Sequence, residues 1–125
     1  MSSPGQSDAV EEQQRDTCRR FGAPYDPPSA GSKVGIALQT QGHQPLNGLR
    51  HPAEKATCGW YLWWGDTWTE DPDFFQPLHV EHLSDRCPEI VPYLGLGPGW
   101  RVQVAPGHED VWYDPALLRT QDTPE

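Results

Sequence analysis

The residues of this chain best suited to chemistry are its histidines and cysteines. His79 and His82 are three positions apart, so on a helix they would share one face, where Cys87 or Cys58 could complete a zinc site. The chain lacks the paired ligands of a structural zinc site and the His-Glu-x-x-His order of a catalytic one. We therefore expect no metal and no other cofactor, with the two histidines on a solvated or interface helix face.

A cysteine nucleophile is the second chemical possibility, because Cys58 or Cys87 could meet a histidine in the fold. Cys58 shares a predicted strand face with Trp60 and Leu62, where a small buried residue is expected, and Cys87 precedes a proline. The glycine-rich run 95–99 follows a predicted helix and precedes a strand, the reverse of a phosphate-binding loop. A small hydrolase, metal-dependent or built on cysteine and histidine, remains the alternative to a non-enzymatic protein.

The charge of the chain is concentrated in its second half. Residues 1–65 contain six acids and six bases, whereas residues 66–125 contain twelve acids and three bases, which accounts for the net charge of −9. Acidic surface repels nucleic acid and anionic membrane and steers encounters with basic partners. Because no run of about eighteen apolar residues occurs, we expect a cytoplasmic protein, with its three cysteines as reduced thiols.

The segment 58–64, Cys-Gly-Trp-Tyr-Leu-Trp-Trp, predicts a strand with bulky aromatic side chains on both faces. Alternation places Trp60, Leu62 and Trp64 on one face, which we assign to the core. Tyr61 and Trp63 lie on the other face, which we expect to meet a partner or to lie under a long loop. If this strand lay at an edge of the sheet, it could also pair with a second copy of the chain.

Exposed aromatics beside acids are typical of protein interfaces, in which aromatic anchors are surrounded by charged residues. The acidic segment 66–73 follows the aromatic strand directly, and a second acidic pair precedes the last predicted strand. We therefore predict partner contacts from eight residues: Tyr61, Trp63, Trp68, Glu70, Asp71, Asp73, Glu109 and Asp110.

The pattern of the whole chain predicts an α+β fold, a small and mainly antiparallel sheet with short helices packed on one face. We expect the strands at about 33–39, 58–64, 100–104 and 110–113, and the helices near 78–94. The predicted core includes Trp60, Leu62, Val102, Val104 and Trp112.

The domain prediction has three parts. Residues 1–32 form an N-terminal helix and irregular arm, with the helix at 8–20 capped by Ser7 or Asp8 and the residues before it disordered. Residues 33–118 form a single domain, in which 41–57 is a polar, turn-rich loop. Residues 119–125 form a disordered tail.

The order of short Trp-containing blocks resembles bacterial immunity proteins, and more narrowly immunity family thirty-three of polymorphic toxin systems and its relatives. The blocks that carry the resemblance lie between residues 33 and 118, at 33–38, 59–65, 71–75, 78–83, 87–90, 98–101 and 109–114. The resemblance implies a small α+β domain that binds a toxin domain and blocks it, with no active-site residues of its own.

We therefore expect a non-enzymatic immunity protein that binds a cognate toxin effector and occludes its active site. From the charge we expect the toxin to present a basic surface, as a nuclease does, and we expect no nucleic acid or membrane partner. An acidic adaptor unrelated to toxins is the other non-enzymatic alternative.

Overall fold

The computed structural model describes residues 4–29, 31–54, 57–66 and 74–118, with side chains from residue 9 onward. Helix α1 spans Pro4–Phe21, and the short helix α2 spans Leu83–Arg86. The six strands are β1 Lys33–Ile36, β2 Leu46–Arg50, β3 Thr57–Trp64, β4 Gln76–His79, β5 Trp100–Ala105 and β6 His108–Tyr113. Four 3₁₀ helices lie at Leu38–Thr40, Val80–His82, Pro88–Tyr93 and Pro115–Leu118.

The strands form one sheet in the order β4-β1-β3-β2-β5-β6. Strands β1 and β3 are parallel, and the other neighbours are antiparallel. The predicted α+β class with a mainly antiparallel sheet is therefore confirmed. The aromatic strand β3 lies between β1 and β2, so the prediction that it could pair with a second copy as an edge strand is wrong.

Strand β2 lies within the segment 41–57 that we predicted as a loop. Its short Leu-Asn-Gly-Leu-Arg pattern contains a glycine, which weakens the sequence signal for a strand. The structure shows why glycine is present: a Cβ at Gly48 would approach side chains of Leu62 and Trp60 at 3.1 and 3.3 Å. The glycine lets a buried tryptophan pack directly on the backbone of β2.

Strand β4 replaces the first part of the helix that we predicted from residue 78. Pro77 is tolerated there because β4 is an edge strand, where a missing N–H leaves no unpaired partner. The helical turns begin only at Val80. His79 ends the strand and His82 lies in the following 3₁₀ turn, so the two histidines are not on one helix face.

Helix α1 begins at Pro4, earlier than the predicted cap at Ser7 or Asp8. Its C-terminal half packs against the 3₁₀ helix Pro88–Tyr93, and Cys18 enters the main core. The arm that follows is held by two backbone contacts: Asp26 N–H donates to the carbonyl of Gly95, and Arg50 donates to the carbonyl of Asp26. The division into an arm at 1–32, a domain at 33–118 and a tail at 119–125 stays a prediction.

The main core lies between the sheet and the helices. Its buried members come from the strands and from the helices and turns that cover them: Cys18, Val34, Ile36, Leu46, Cys58, Trp60, Leu62, Trp64, Leu83, Cys87, Ile90, Tyr93, Leu94, Leu96 and Val102. Of the predicted core residues, Trp60, Leu62 and Val102 are buried, and Val104 is half-buried against this cluster. Trp112 is 37% exposed, so its assignment to the core is wrong.

Candidate protein-binding surface

The pairing register assigns each strand residue to one of two faces, because directly paired residues point to the same side of a sheet. We call the side packed on α1 and the 3₁₀ helices the helix face, and the opposite side the open face. Two rows of paired residues cross the open face from β6 to β3. The first row is Trp112, Arg101, Leu49 and Tyr61, and the second row is Asp110, Gln103, Asn47 and Trp63.

The β3 end of the open face is covered by aromatic side chains. Phe75 makes edge contacts with Tyr61 and Trp63, with ring centroids 5.2 and 6.1 Å apart, and Phe74 lies 4.9 Å from Phe75. Trp63 is only 8% exposed, which agrees with the alternative that this face lies under a loop, and its role as a partner contact stays a prediction. Tyr61 is half-buried, and burial raises the pKa of its hydroxyl. The predicted division of β3 into two aromatic faces is correct, but both faces are packed.

A groove of about 570 Å³ lies beside this aromatic cluster. It is lined by Asn47, Leu49, His51, Trp63, Gly65, Asp66, Arg101 and Leu117. The buried side chains of Leu49, Trp63 and Leu117 belong to one apolar cluster, whereas Asp66 is exposed. The groove therefore combines apolar walls with charged and polar positions, as in the recognition surfaces of many proteins.

Amide side chains form a hydrogen-bonded row along the second line of the open face. Gln103 donates to the side chain of Asn47 over 3.2 Å, and His108 is hydrogen-bonded to Gln103 over 3.1 Å. Asn47 in turn donates to the carbonyl of Gly65 over 3.0 Å. These contacts hold β2, β5 and β6 side chains in fixed positions, so this part of the surface is organised before any partner arrives.

The neighbouring acids Glu109 and Asp110, both predicted as contacts, lie on opposite faces. On the helix face, Arg20 of α1 donates two hydrogen bonds to Glu109, over 3.0 and 3.1 Å, and the hydroxyl of Tyr93 donates a third. These bonds lower the pKa of Glu109. Asp110 is exposed on the open face, where no described residue forms an ion pair or hydrogen bond with its carboxylate.

The β6 end of the open face carries an exposed tryptophan. The Arg101 guanidinium lies 5.5 Å from the ring centroid of Trp112 and forms a 3.1 Å ion pair with Asp114. Our sequence reasoning missed Arg101, Gln103, Asn47 and the exposure of Trp112. The alternation of side chains along a strand explains the exposure of Trp112. Its sequence neighbour Val111 is paired with the buried Val102 on the helix face, so Trp112 must point to the open face.

Four predicted contacts, Trp68, Glu70, Asp71 and Asp73, lie outside the described residues. The residues that flank them, Asp66 and Phe74, both lie on the open face.

The cysteines and histidines of the hydrolase alternative differ in exposure. Cys18, Cys58 and Cys87 are buried and free, and burial raises the pKa of the Cys87 thiol to about 12, far from that of a reactive thiolate. His79 and His82 are exposed, with ring centroids 6.0 Å apart. Within the described ranges, no group of three His, Cys, Asp or Glu side chains is placed to hold a metal ion.

Among the residues that the structure describes, no helix is both long and apolar enough to span a bilayer.

A family model of the Imm33-like domain matches residues 13–114, which include all six strands and the second half of α1. The match begins earlier than the resemblance between residues 33 and 118, so the N-terminal helix also belongs to the matched region. No curated protein and no solved structure matches the chain. With most of its length matched by this model, the chain belongs to the Imm33-like family and is an immunity protein.

Proposed function

We propose that this immunity protein binds a cognate toxin effector through the open face of its sheet and occludes the functional surface of the toxin. The observation that carries the proposal is the combination on this face of an apolar groove, an exposed tryptophan and two carboxylates that have no ion-pair or hydrogen-bond partner among the described residues. Asp66 lies at the groove and Asp110 lies one row from Trp112. In both cases the carboxylate is left to attract a basic partner.

The charges of the strand residues support this choice of face. Glu109 and Asp114 are bound internally by Arg20 and Arg101. Asp66 and Asp110 have no such partner among the described residues, so their fields are not balanced locally. A basic toxin surface would gain from unpaired acids, both in the rate of encounter and in the register of docking. Trp112 would supply the large apolar contact that is typical of binding hot spots.

The predicted contacts Trp68, Glu70, Asp71 and Asp73 remain part of the proposal. The described residues on either side of their segment are Asp66, which lines the groove, and Phe74 of the aromatic cluster, and both lie on the proposed binding face. Four further carboxyl or aromatic side chains in this segment would extend the same acidic surface. Tyr61 and Trp63, which are packed beneath Phe75, would support that surface from below.

We assign Glu109 a structural role in place of the predicted contact. Its carboxylate already accepts three hydrogen bonds on the helix face, and a partner would have to displace Arg20 and Tyr93 to reach it.

The proposal also places the protein in the cytoplasm of the toxin-producing cell or its neighbours, where it acts by binding alone.

The decisive experiment is co-expression with the toxin domain encoded beside this gene. The expected result is that the chain restores growth and co-purifies with that domain in a stable complex. Loss of both results, with the chain folded and abundant, would overturn the proposal. If growth is restored without co-purification, inhibition does not occur by occlusion and the proposed mechanism fails.

Reversing the charge of one exposed acid tests whether the open face binds the toxin. Asp110→Lys is expected to weaken the complex about tenfold or more at low salt, because it replaces an attraction by a repulsion, and the effect should shrink at high salt. Asp85→Lys is the matched control, since Asp85 is exposed in α2 on the helix side and undergoes the same charge change. Titration calorimetry at two salt concentrations measures both variants. Equal losses for the two would show that net charge, and not the open face, determines binding.

A further inference from the structure

The two edges of the sheet differ in how open they are to another strand. Strand β4 has four residues and contains Pro77, which has no N–H to donate to an added strand. Strand β6 has six residues and lacks proline, and among the described strands it pairs with β5 alone. An unprotected edge of this length is a ready site for strand pairing.

The backbone register shows which groups of β6 point outward. The N–H of Asp114 donates to the carbonyl of Gly99 over 2.6 Å, directly after the last β5–β6 pair. In an antiparallel ladder the residues of one strand alternate between pointing their backbone groups at the neighbour and pointing them away. Residues 108, 110 and 112 therefore bond to β5, and the N–H and carbonyl groups of Glu109, Val111 and Tyr113 point away from it.

We propose that β6 pairs antiparallel with β6 of a second copy of this chain, with Val111 on the two-fold axis. A two-fold axis perpendicular to the sheet keeps each side chain on its own face, so only residues of equal parity can be opposite one another. In the proposed register Asp110 lies opposite the partner's Trp112, Glu109 opposite the partner's Tyr113, and His108 opposite the partner's Asp114. Two such edges would join the two sheets into one.

Charge selects this register over its neighbours. Moving the axis to Asp110 or to Glu109 would place that acid opposite its own copy, and like charges directly opposite are destabilising. With the axis at Val111, no pair has like charges, and His108 meets an acid. Glu109 is also neutralised within its own protomer by Arg20, so it brings no unbalanced charge to the contact.

The exposed aromatics of β6 fit the same arrangement. Trp112 is 37% and Tyr113 is 47% exposed, and they lie on opposite faces of the strand. An added strand would flank both faces, so each aromatic side chain would gain a cross-strand neighbour. A single pairing therefore provides neighbours for two of the three large apolar side chains that the described chain leaves exposed.

A proline substitution tests the edge without disturbing the protomer. Val111→Pro removes an N–H that points away from β5, so the fold should persist while the pairing is lost, with dimer affinity reduced at least about tenfold. Val111→Ala is the matched control, because it loses similar side-chain packing and keeps the N–H. Sedimentation equilibrium from micromolar to near-millimolar protein measures the assembly, and circular dichroism checks that each variant is folded.

The register has its own test, which also serves if Val111→Pro does not fold. His108→Glu places an acid opposite the partner's Asp114 at two symmetric positions and should weaken the dimer about tenfold, whereas His108→Lys should not weaken it. A wild-type chain that stays monomeric throughout would overturn the proposal, even if the edge then proved to bind the toxin. The proposal would also be overturned by a dimer that persists in folded Val111→Pro protein, or by a dimer whose affinity falls equally in the two His108 variants.

Discussion

Two arginines on neighbouring strands show how the faces of this sheet differ. Arg50 of β2 lies 5.9 Å from the ring centroid of Trp60 on the helix face, and Arg101 of β5 lies 5.5 Å from that of Trp112 on the open face. Arg50 is 4% exposed and donates to three backbone carbonyls, those of Cys58, Asp26 and Leu96. Arg101 is half-buried and pairs with a carboxylate.

The same pair of residue types therefore has two roles, because the surroundings differ. Burial lowers the pKa of Arg50, and its carbonyl partners come from the arm, from β3 and from the turn before β5. Such a side chain holds separate segments of the chain together. Arg101 orients an accessible tryptophan, where a charged group remains partly hydrated and can meet a partner. We therefore expect the helix face to contribute most of the stability, and we propose the β6 end of the open face for recognition.

Removing each tryptophan should give the largest contrast between the faces. Trp60→Ala is expected to reduce the free energy of unfolding by about 3–5 kcal/mol, since it leaves a large cavity in the main core. Trp112→Ala should reduce it by about 1 kcal/mol or less, because the side chain is already partly exposed. Urea denaturation measures both. A comparable loss from the two variants would mean that Trp112 is as important for stability as the core residue.

Replacing each arginine by lysine should give a smaller contrast. In Arg50→Lys the single ammonium cannot satisfy three carbonyls in different directions, so a loss of about 1–3 kcal/mol in unfolding free energy is expected. Arg101→Lys, at a partly exposed ion pair, should cost about 0.5 kcal/mol or less. Thermal and urea unfolding of the two variants, prepared in parallel, test whether the difference has the expected sign.

The smallest contrast concerns the neighbouring acids of β6. Because the pKa of Glu109 is lowered in the folded protein, its stabilisation is present above the usual carboxyl pKa of 4.5 and is lost as the pH falls through the folded value. Glu109→Gln should therefore cost about 0.5–1 kcal/mol near neutral pH, a modest value since the carboxylate is one-third exposed, and should flatten the acid limb of the stability curve.

Asp110→Asn, one residue away on the open face, is the control for the loss of one carboxylate charge from β6, because no described residue binds its carboxylate. At high pH the stability of the fold also depends on Tyr93, which lies on the helix face. The pKa of Tyr93 is raised from 10.0 to about 12, first by burial and then by its bond to Glu109, so stability should fall as the pH rises through that interval. The free energy of unfolding, measured from acid to alkaline pH, tests both effects. If Glu109→Gln left the loss of stability at low pH unchanged, the structural role assigned to Glu109 would be contradicted.

Residue pattern alone was sufficient for the fold class and for part of the core. The alternation in β3 correctly assigned Trp60, Leu62 and Trp64 to one buried face, because bulky apolar side chains at a period of two leave little choice of geometry. Strand β2 was missed, since its glycine is required by side chains on neighbouring elements, those of Leu62 and Trp60. Strand β4 was assigned to a helix, because Pro77 suits the start of a helix as well as an edge strand.

The proposed binding surface was less predictable than the fold. Local sequence placed Glu109 and Asp110 in one acidic pair, but the strand sends them to opposite faces, where Arg20, far away in sequence, takes one of them. The sequence left open whether Trp63 meets a partner or lies under a loop, because nothing near it in sequence indicated that Phe74, Phe75 and Leu117 would pack around it. Burial of an aromatic residue depends on neighbours that only the folded chain brings together.

By itself, the sequence determined that this is a small, acidic α+β protein with an aromatic sheet, and its ordered blocks indicated the immunity family. These properties follow from composition, residue period and residue identity, which are local. Only the tertiary structure decided which aromatics are accessible, which acids are neutralised and which edge of the sheet is open. Those properties depend on strand order and on contacts between distant residues, since the same tryptophan or carboxylate is structural when partnered and available for binding when it is not.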